Sequence, residues 1–136
     1  MSVRMVVRST ECAESFPQNK PFDFRIQVNK GLKFDGDWTI DLTEIGIDSV
    51  TRRAQNEIVV YADICDMSYI NQSQTPLLRR IYITDTGSMV FQNPYPIPLR
   101  CKDFECIHFW ILDKNSKPAT FLLNETVLSL VFRKKE

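Results

Sequence analysis

Apolar and polar residues alternate along much of the chain, most clearly over residues 22–47. Side chains on a β-strand point to opposite faces in turn, so a period of two predicts a strand with one face in the core. The first strand of this segment contributes Phe22, Phe24, Ile26 and Val28 to its apolar face. A second strand begins at Trp38, and its apolar phase slips by one residue before Ile45. This slip predicts a β-bulge near Thr43–Glu44.

The same alternation predicts strands through the rest of the chain, and no segment has a convincing helical pattern. The predicted strands are residues 3–8, 22–28, 38–47, 57–65, 79–84, 89–91, 104–112, 119–123 and 126–133. Residues 57–65 and 104–112 are apolar on both faces, which indicates the middle of a sheet or contact with another subunit. We therefore expect an all-β protein, a jelly roll or an immunoglobulin-like sandwich. Long, uneven loops and the lack of Cys–Trp–Cys spacing favour a single jelly roll of about eight strands in two antiparallel sheets.

The connections between these strands carry their own signals. Lys30-Gly31 and Asp35-Gly36-Asp37 predict turns, and residues 49–56 predict a solvated loop. Residues 66–78 are polar and longer than a usual hairpin loop, which makes them a candidate surface feature. Residues 93–98 contain three prolines and belong at a sheet edge or corner, because proline cannot donate to a ladder.

Length and charge narrow the class of protein. The 136 residues fit one domain over residues 1–136, and 17 basic residues balance 17 acidic ones. A nucleic-acid-binding domain usually has a basic excess, so we expect no nucleic-acid partner. No apolar run approaches the roughly 18 residues that span a bilayer, and the N-terminus lacks the apolar core of a signal peptide. We expect a protein that is neither inserted in a membrane nor secreted.

Few residues of the chain suggest chemistry. The single histidine, His108, shares a predicted strand face with Cys106 and Trp110, so a base–nucleophile pair with Cys106 is conceivable. A packed or interface histidine is the favoured interpretation, because no glycine elbow or second histidine accompanies it. One histidine and four dispersed cysteines do not make a metal site. We assign no catalytic, cofactor-binding or metal-binding residue and expect no cofactor and no enzyme activity.

The cysteines and the surface residues allow further expectations. Cys65 and Cys106 lie in predicted strands and are interpreted as buried thiols, whereas Cys12 and Cys101 lie outside them. Tyr69, Tyr95 and the two strands that are apolar on both faces suggest more apolar surface than one small sandwich hides, and subunit contact is one explanation. The basic pairs Arg79-Arg80 and Lys134-Lys135 are expected to face water or an electrostatic seam between subunits.

The order of these segments also resembles a known family. The segments are FDFRIQVNKGLKFDGDWTIDLTEI, VVYADIC, TPLLRRI, YPIPL and FECIHFWILDKNSKPATFLLNETVLSLVFRK, and the resemblance runs colinearly over residues 16–134. The chain resembles the minor capsid (penton) protein of Polinton/Maverick elements, adintoviruses and virophages. Departures are the few glycines in residues 66–74 and 122–124 and the two cysteines within residues 101–106.

The resemblance implies a structural function. The expected protein is a single jelly roll in the virion that forms homopentamers at the fivefold vertices of an icosahedral capsid and contacts the major capsid protein. The subunit interface cannot be assigned to residues from sequence. An alternative is a non-catalytic carbohydrate- or receptor-binding β-sandwich, since jelly rolls also form lectins. An exposed cluster built from Tyr69, Tyr95 or Trp110 would favour this alternative. A cupin-like enzyme is disfavoured by the lone histidine.

Overall fold

The computed structural model describes residues 1–29, 32–48, 57–70, 72–83 and 87–135. Eleven strands lie within these ranges, and the described residues contain no helix long and apolar enough to cross a membrane. The strands are β1 Ser2–Arg8, β2 Asp23–Gln27, β3 Trp38–Ile47, β4 Glu57–Ala62, β5 Ser68–Ile70, β6 Ser73–Thr75, β7 Leu77–Tyr82, β8 Gly87–Val90, β9 Ile97–Pro98, β10 Cys106–Asp113 and β11 Val127–Lys134.

The strands form two antiparallel sheets and a separate ribbon. The front sheet has the order β1-β11-β3-β8, with β9 also paired to β3, and the back sheet has the order β2-β10-β4-β7. Among the described residues, strands β5 and β6 pair only with each other, and they form the ribbon. The pairs β1–β11, β2–β10, β3–β8 and β4–β7 are nested, as though one long hairpin had been rolled into two layers. This nesting is the jelly roll that the sequence predicted.

The core lies between the two sheets and is filled by the apolar phase of each strand. Phe24 of β2 pairs with Phe109 of β10, and their fully buried rings stack with centroids 5.4 Å apart. Phe34, between β2 and β3, is buried near one end of the core. Its ring contacts the rings of Trp38, Phe104 and Phe132 at centroid distances of 5.1, 5.5 and 4.8 Å. Alternation along the sequence therefore predicted the core face correctly.

The predicted β-bulge is present in β3. Leu42 pairs with Leu130 and Glu44 pairs with Ser129, so Thr43 is the extra residue on its strand. The Thr43 hydroxyl donates to the Ser129 carbonyl oxygen at 3.2 Å. Because the bulge shifts the phase by one residue, Ile45 and Ile47 return to the core.

Two segments differ from the prediction. Residues 66–78, expected to be a long polar loop at the surface, contain the β5–β6 ribbon and the start of β7. Residues 119–123, predicted to be a strand, instead contain a turn at residues 120–121 and a single bridge residue at Leu122. Ala119 and Leu122 are nevertheless buried, so the apolar pattern there reports burial and not a continuous strand.

The predicted connections are described only in part. Lys30-Gly31 and residues 49–56 lie outside the described residues. Gly36 has a φ of 90°, a left-handed conformation that glycine adopts readily, which confirms the turn at Asp35-Gly36-Asp37. The proline segment lies at an edge of the front sheet, where Ile97 and Pro98 pair with Ile40 and Thr39 of β3.

Candidate functional site

The outer face of the back sheet, which points away from the core, carries a row of large side chains. Trp110 of β10 pairs with Tyr61 of β4, and Tyr61 pairs with Leu77 of β7. The Trp110 and Tyr61 rings stack with centroids 5.4 Å apart and planes 10° apart. Tyr61 and Leu77 are buried although they face outward, so another part of the chain covers them.

The β5–β6 ribbon provides this cover. Ile70 of the ribbon packs against the small cluster of Val59, Tyr61 and Leu77. The ribbon is also tied at its end, because the Ala62 amide donates to the Pro76 carbonyl oxygen at 3.1 Å. Burial raises the pKa of the Tyr61 phenol, and the Thr75 side chain opposes this shift in part. Strand β4 is thus apolar on both faces because it lies inside a sheet and beneath the ribbon of its own chain.

A cleft of about 440 Å³ opens beside the ribbon, and we call it the ribbon cleft. Its floor is apolar and consists of Val59, Tyr61 and Ile70. Its rim is polar and comprises Glu57, Tyr69, Arg80, Asp113, Lys114 and Ser116. The cleft therefore combines an apolar base with charged and aromatic walls, as small-molecule sites commonly do.

The rim side chains of the ribbon cleft are held in place by hydrogen bonds. Arg80 Nε lies 2.5 Å from Glu57 Oε1, and Arg80 Nη2 donates to the Tyr82 hydroxyl at 2.6 Å. The Glu57 carboxylate raises the pKa of the Arg80 guanidinium. Asp113 Oδ1 accepts the backbone amides of Asn115 and Lys117 at 2.8 and 3.1 Å.

His108 lies on the same outer face at the edge of this row. Its Nε2 is 2.7 Å from Asp23 Oδ1, and its ring centroid is 4.8 Å from that of Trp110. The His108 backbone amide donates to Asp63 Oδ1 at 3.1 Å. The imidazole thus pairs with the Asp23 carboxylate, and Cys106 is half-buried on the same strand.

The three aromatic residues singled out in the sequence do not form one cluster. Tyr69 lies on the ribbon with 76% of its surface exposed, whereas Trp110 is half-buried within the back sheet. Tyr95 lies in the proline segment between β8 and β9, where its amide donates to Asp41 Oδ1 of β3 at 3.2 Å. Only Tyr69 presents a largely free ring beside a cleft.

One expectation about charge is wrong. Arg79 does not face water: its side chain is 11% exposed, and Nη2 lies 3.0 Å from Asp41 Oδ1. The same nitrogen donates to the Asn93 carbonyl oxygen at 3.1 Å, and the guanidinium carbon lies 4.4 Å from the centre of the Phe91 ring. Arg80 does face solvent. Lys134 and Lys135 are exposed too, although their amides bond to Met1 and Asp37 carbonyl oxygens.

All four cysteines are free thiols. Cys65 is fully buried, as predicted, and burial raises its pKa to about 12. Cys106, also predicted to be buried, is only half-buried because it points to the outer face of the back sheet. Within the part of the chain that the structure describes, no group of three or more His, Cys, Asp or Glu residues is arranged to hold a metal ion.

Three of the exposed apolar side chains lie on edge strands of the two sheets. Val6 of β1 is 57% exposed, Val90 of β8 is 66% exposed and Tyr82 of β7 is 59% exposed. Val6, Ser129, Glu44 and Val90 are in register across the front sheet, so one row joins its two edges. These positions form the candidate contact surface of the sandwich.

Comparisons of the sequence with protein-family models and with curated proteins found no match to this chain.

Proposed function

We propose that this protein is the penton subunit of an icosahedral capsid, a structural protein that forms homopentamers at the fivefold vertices and contacts the major capsid protein. The observation that carries the proposal is the nested pairing of eight strands, the jelly roll on which viral capsid domains are built. Lectins and cupins use the same fold, so the fold alone does not select among them. The colinear resemblance of the strand series to penton proteins favours the capsid function.

The sandwich offers two different lateral surfaces for a ring. Arg79 of β7 contacts Phe91, which follows β8, so the β7 and β8 edges lie on one side. The Gln27 amide of β2 donates to Cys12 Sγ at 3.4 Å, which keeps the β2 edge close to the segment that follows β1. Copies arranged head to tail join unlike surfaces, and such an arrangement closes into a ring when the rotation permits.

The exposed apolar residues give this ring its contacts. Val6 lies on the β1 side, and Tyr82 and Val90 lie on the β7–β8 side. Removing such side chains from water contributes about 25 cal/mol per Å² of apolar area. We infer that each copy places its β1 side against the β7–β8 side of the next, which leaves the ribbon free to face outward or toward neighbouring capsomers.

The test is the native mass of the purified protein by mass photometry and native mass spectrometry. The expected particle has five times the 15.9 kDa subunit mass. Val6→Glu and Val90→Glu, which each place a charge in the proposed contact, should dissociate it. Leu123→Glu is the matched control, because Leu123 is exposed but lies outside the strands, with its amide bonded to the Asp48 carbonyl oxygen. A monomer at micromolar concentration, both alone and mixed with the major capsid protein of its element, contradicts the proposal.

A further inference from the structure

We propose that the ribbon cleft binds a neutral saccharide. This inference does not depend on the capsid function, because it rests on one surface of the isolated subunit. The cleft volume of about 440 Å³ lies within the range of about 300–1,000 Å³ that small-ligand sites occupy. A ligand seated there would contact the exposed Tyr69 ring and the half-buried Ile70, because Val59 and Tyr61 beneath them are already buried.

Tyr69 supplies a flat aromatic surface for this ligand. The ring is 76% exposed, yet it is oriented, because Tyr69 pairs with Gln74 across the ribbon and its hydroxyl accepts from Gln74 Nε2 at 3.1 Å. A tyrosine loses little side-chain entropy on binding, and its ring covers a large apolar area. The C–H face of a pyranose ring is flat and apolar, so it matches such a surface.

The charges at the rim indicate that the ligand is neutral. Glu57 and Asp113 are acidic, whereas Arg80 and Lys114 are basic, so the rim has no net charge. The Glu57 carboxylate and the Arg80 guanidinium already neutralise each other at 2.5 Å. An anionic ligand such as a phosphate needs a surplus of basic groups, and a cationic ligand needs a surplus of acidic ones. Neither surplus is present among these rim residues.

The same rim groups suit a ligand with several hydroxyls. A carboxylate oxygen accepts hydrogen bonds from hydroxyl groups, and a guanidinium N–H donates to them. Asp113 is fixed through Oδ1 by the amides of Asn115 and Lys117, so its carboxylate is already oriented. A ligand for this cleft needs an apolar face and neutral hydroxyls at the edge of that face. A saccharide has both features, whereas a peptide or a lipid does not combine them.

The experiment is a glycan array that contains neutral, sialylated and sulfated oligosaccharides, probed with the full-length protein and its variants. Tyr69→Ala removes the ring and should weaken binding to neutral glycans by about tenfold or more. Tyr69→Phe keeps the stacking ring and loses only the hydrogen bond from Gln74, so it should weaken binding much less than Tyr69→Ala. Lys114→Ala, a change at an exposed residue, is a second variant that should weaken binding even if Tyr69→Ala does not fold.

The array hits are then titrated into ¹⁵N-labelled protein and followed by NMR. Shifts confined to the amides around Tyr69, Ile70 and Lys114 support the ribbon cleft as the site. Shifts elsewhere, undiminished binding by Tyr69→Ala, or binding only to charged glycans overturn the proposal. It is overturned equally if no neutral glycan binds on the array and millimolar mannotriose and N-acetylchitotriose produce no shifts.

Discussion

Arg79 Nη2 lies 3.0 Å from Asp41 Oδ1, and this ion pair joins β7 of the back sheet to β3 of the front sheet. Both side chains are nearly buried, at 11% and 12% exposure, with Phe91 and Tyr95 beside the guanidinium. Charges held out of water are stable only together, because each compensates the desolvation of the other. The pair therefore helps to fix how the two sheets stack.

Replacement of one member of this pair should destabilise the fold strongly. We expect Asp41→Asn to lower the free energy of unfolding by about 3 kcal/mol, because the Arg79 charge is then left uncompensated. Urea denaturation followed by circular dichroism measures the change. Arg80→Met is the matched control: its side chain is 53% exposed and pairs with Glu57, so its loss should cost at most about 1 kcal/mol. Equal effects of the two substitutions contradict the proposed role of the Arg79–Asp41 pair.

Thiol labelling should separate Cys65 from the other cysteines. The pKa of Cys65 is raised to about 12, mainly by burial. The nearby Asp63 carboxylate contributes to this rise, and its effect is larger than the opposing effect of the Arg100 cation. With that pKa, only about 10⁻⁴ of the thiol is ionised at pH 8, and the thiolate is the reactive form. We expect iodoacetamide to modify Cys12, Cys101 and Cys106 in the folded protein and Cys65 only in urea, as read by peptide mass spectrometry. Native labelling of Cys65 at the rate of Cys106 would show that the site opens.

Truncation of Phe34 should open the core near one end. Phe34 is buried between the rings of Trp38, Phe104 and Phe132, so Phe34→Ala leaves a cavity and should cost about 3–5 kcal/mol. Tryptophan fluorescence during urea denaturation reports the change, since Trp38 lies against the lost ring. Leu123→Ala on the surface should stay within about 0.5 kcal/mol of the unsubstituted protein. A small effect at Phe34 would mean that neighbouring side chains collapse into the space.

Glu125 should form an acid-sensitive contact between the end of β1 and the segment that precedes β11. The Thr10 hydroxyl and Arg8 Nη1 both donate to its carboxylate, and they lower its pKa below 4.5. A carboxyl group whose pKa is lower in the folded state than in the unfolded state stabilises the fold at pH values above the unfolded pKa. This stabilisation is lost as the pH falls through the folded pKa. We expect the stability difference between the parent and Glu125→Gln to be fully present at pH 6 and to shrink progressively as the pH falls from 4.5 through the lower folded pKa. Parallel stability curves from pH 6 to pH 2.5 would refute this linkage.

Much of the fold could be predicted from the sequence, because burial on a strand has a period of two. This periodicity located most of the long strands and the bulge at Thr43, where the apolar phase changes. It missed the β5–β6 ribbon, since short polar strands have no apolar alternation. It also misassigned residues 119–123, where apolar residues are buried without a continuous strand.

The sites were harder to predict because they combine distant parts of the chain. Asp41 occupies a polar position of β3, so the sequence alone suggests that its side chain faces water. In the structure the proline segment covers this side chain and places the Tyr95 amide on its carboxylate. The ribbon cleft joins Glu57, Tyr69 and Asp113, which come from three different elements. Tyr69 was noted as an aromatic residue, but its separation from Tyr95 and the neutral rim beside it depend on the tertiary structure.

The strand order has a consequence for how this protein folds during its synthesis on the ribosome. Strands β10 and β11 come last in the chain, yet β10 lies between β2 and β4, and β11 lies between β1 and β3. A growing chain that has released only β1 to β9 therefore lacks an inner strand of each sheet, and the pairings open to it are β3–β8, β3–β9, β4–β7 and β5–β6. Both layers must then close together once the final strands emerge, which makes folding a late, concerted event dominated by long-range pairing.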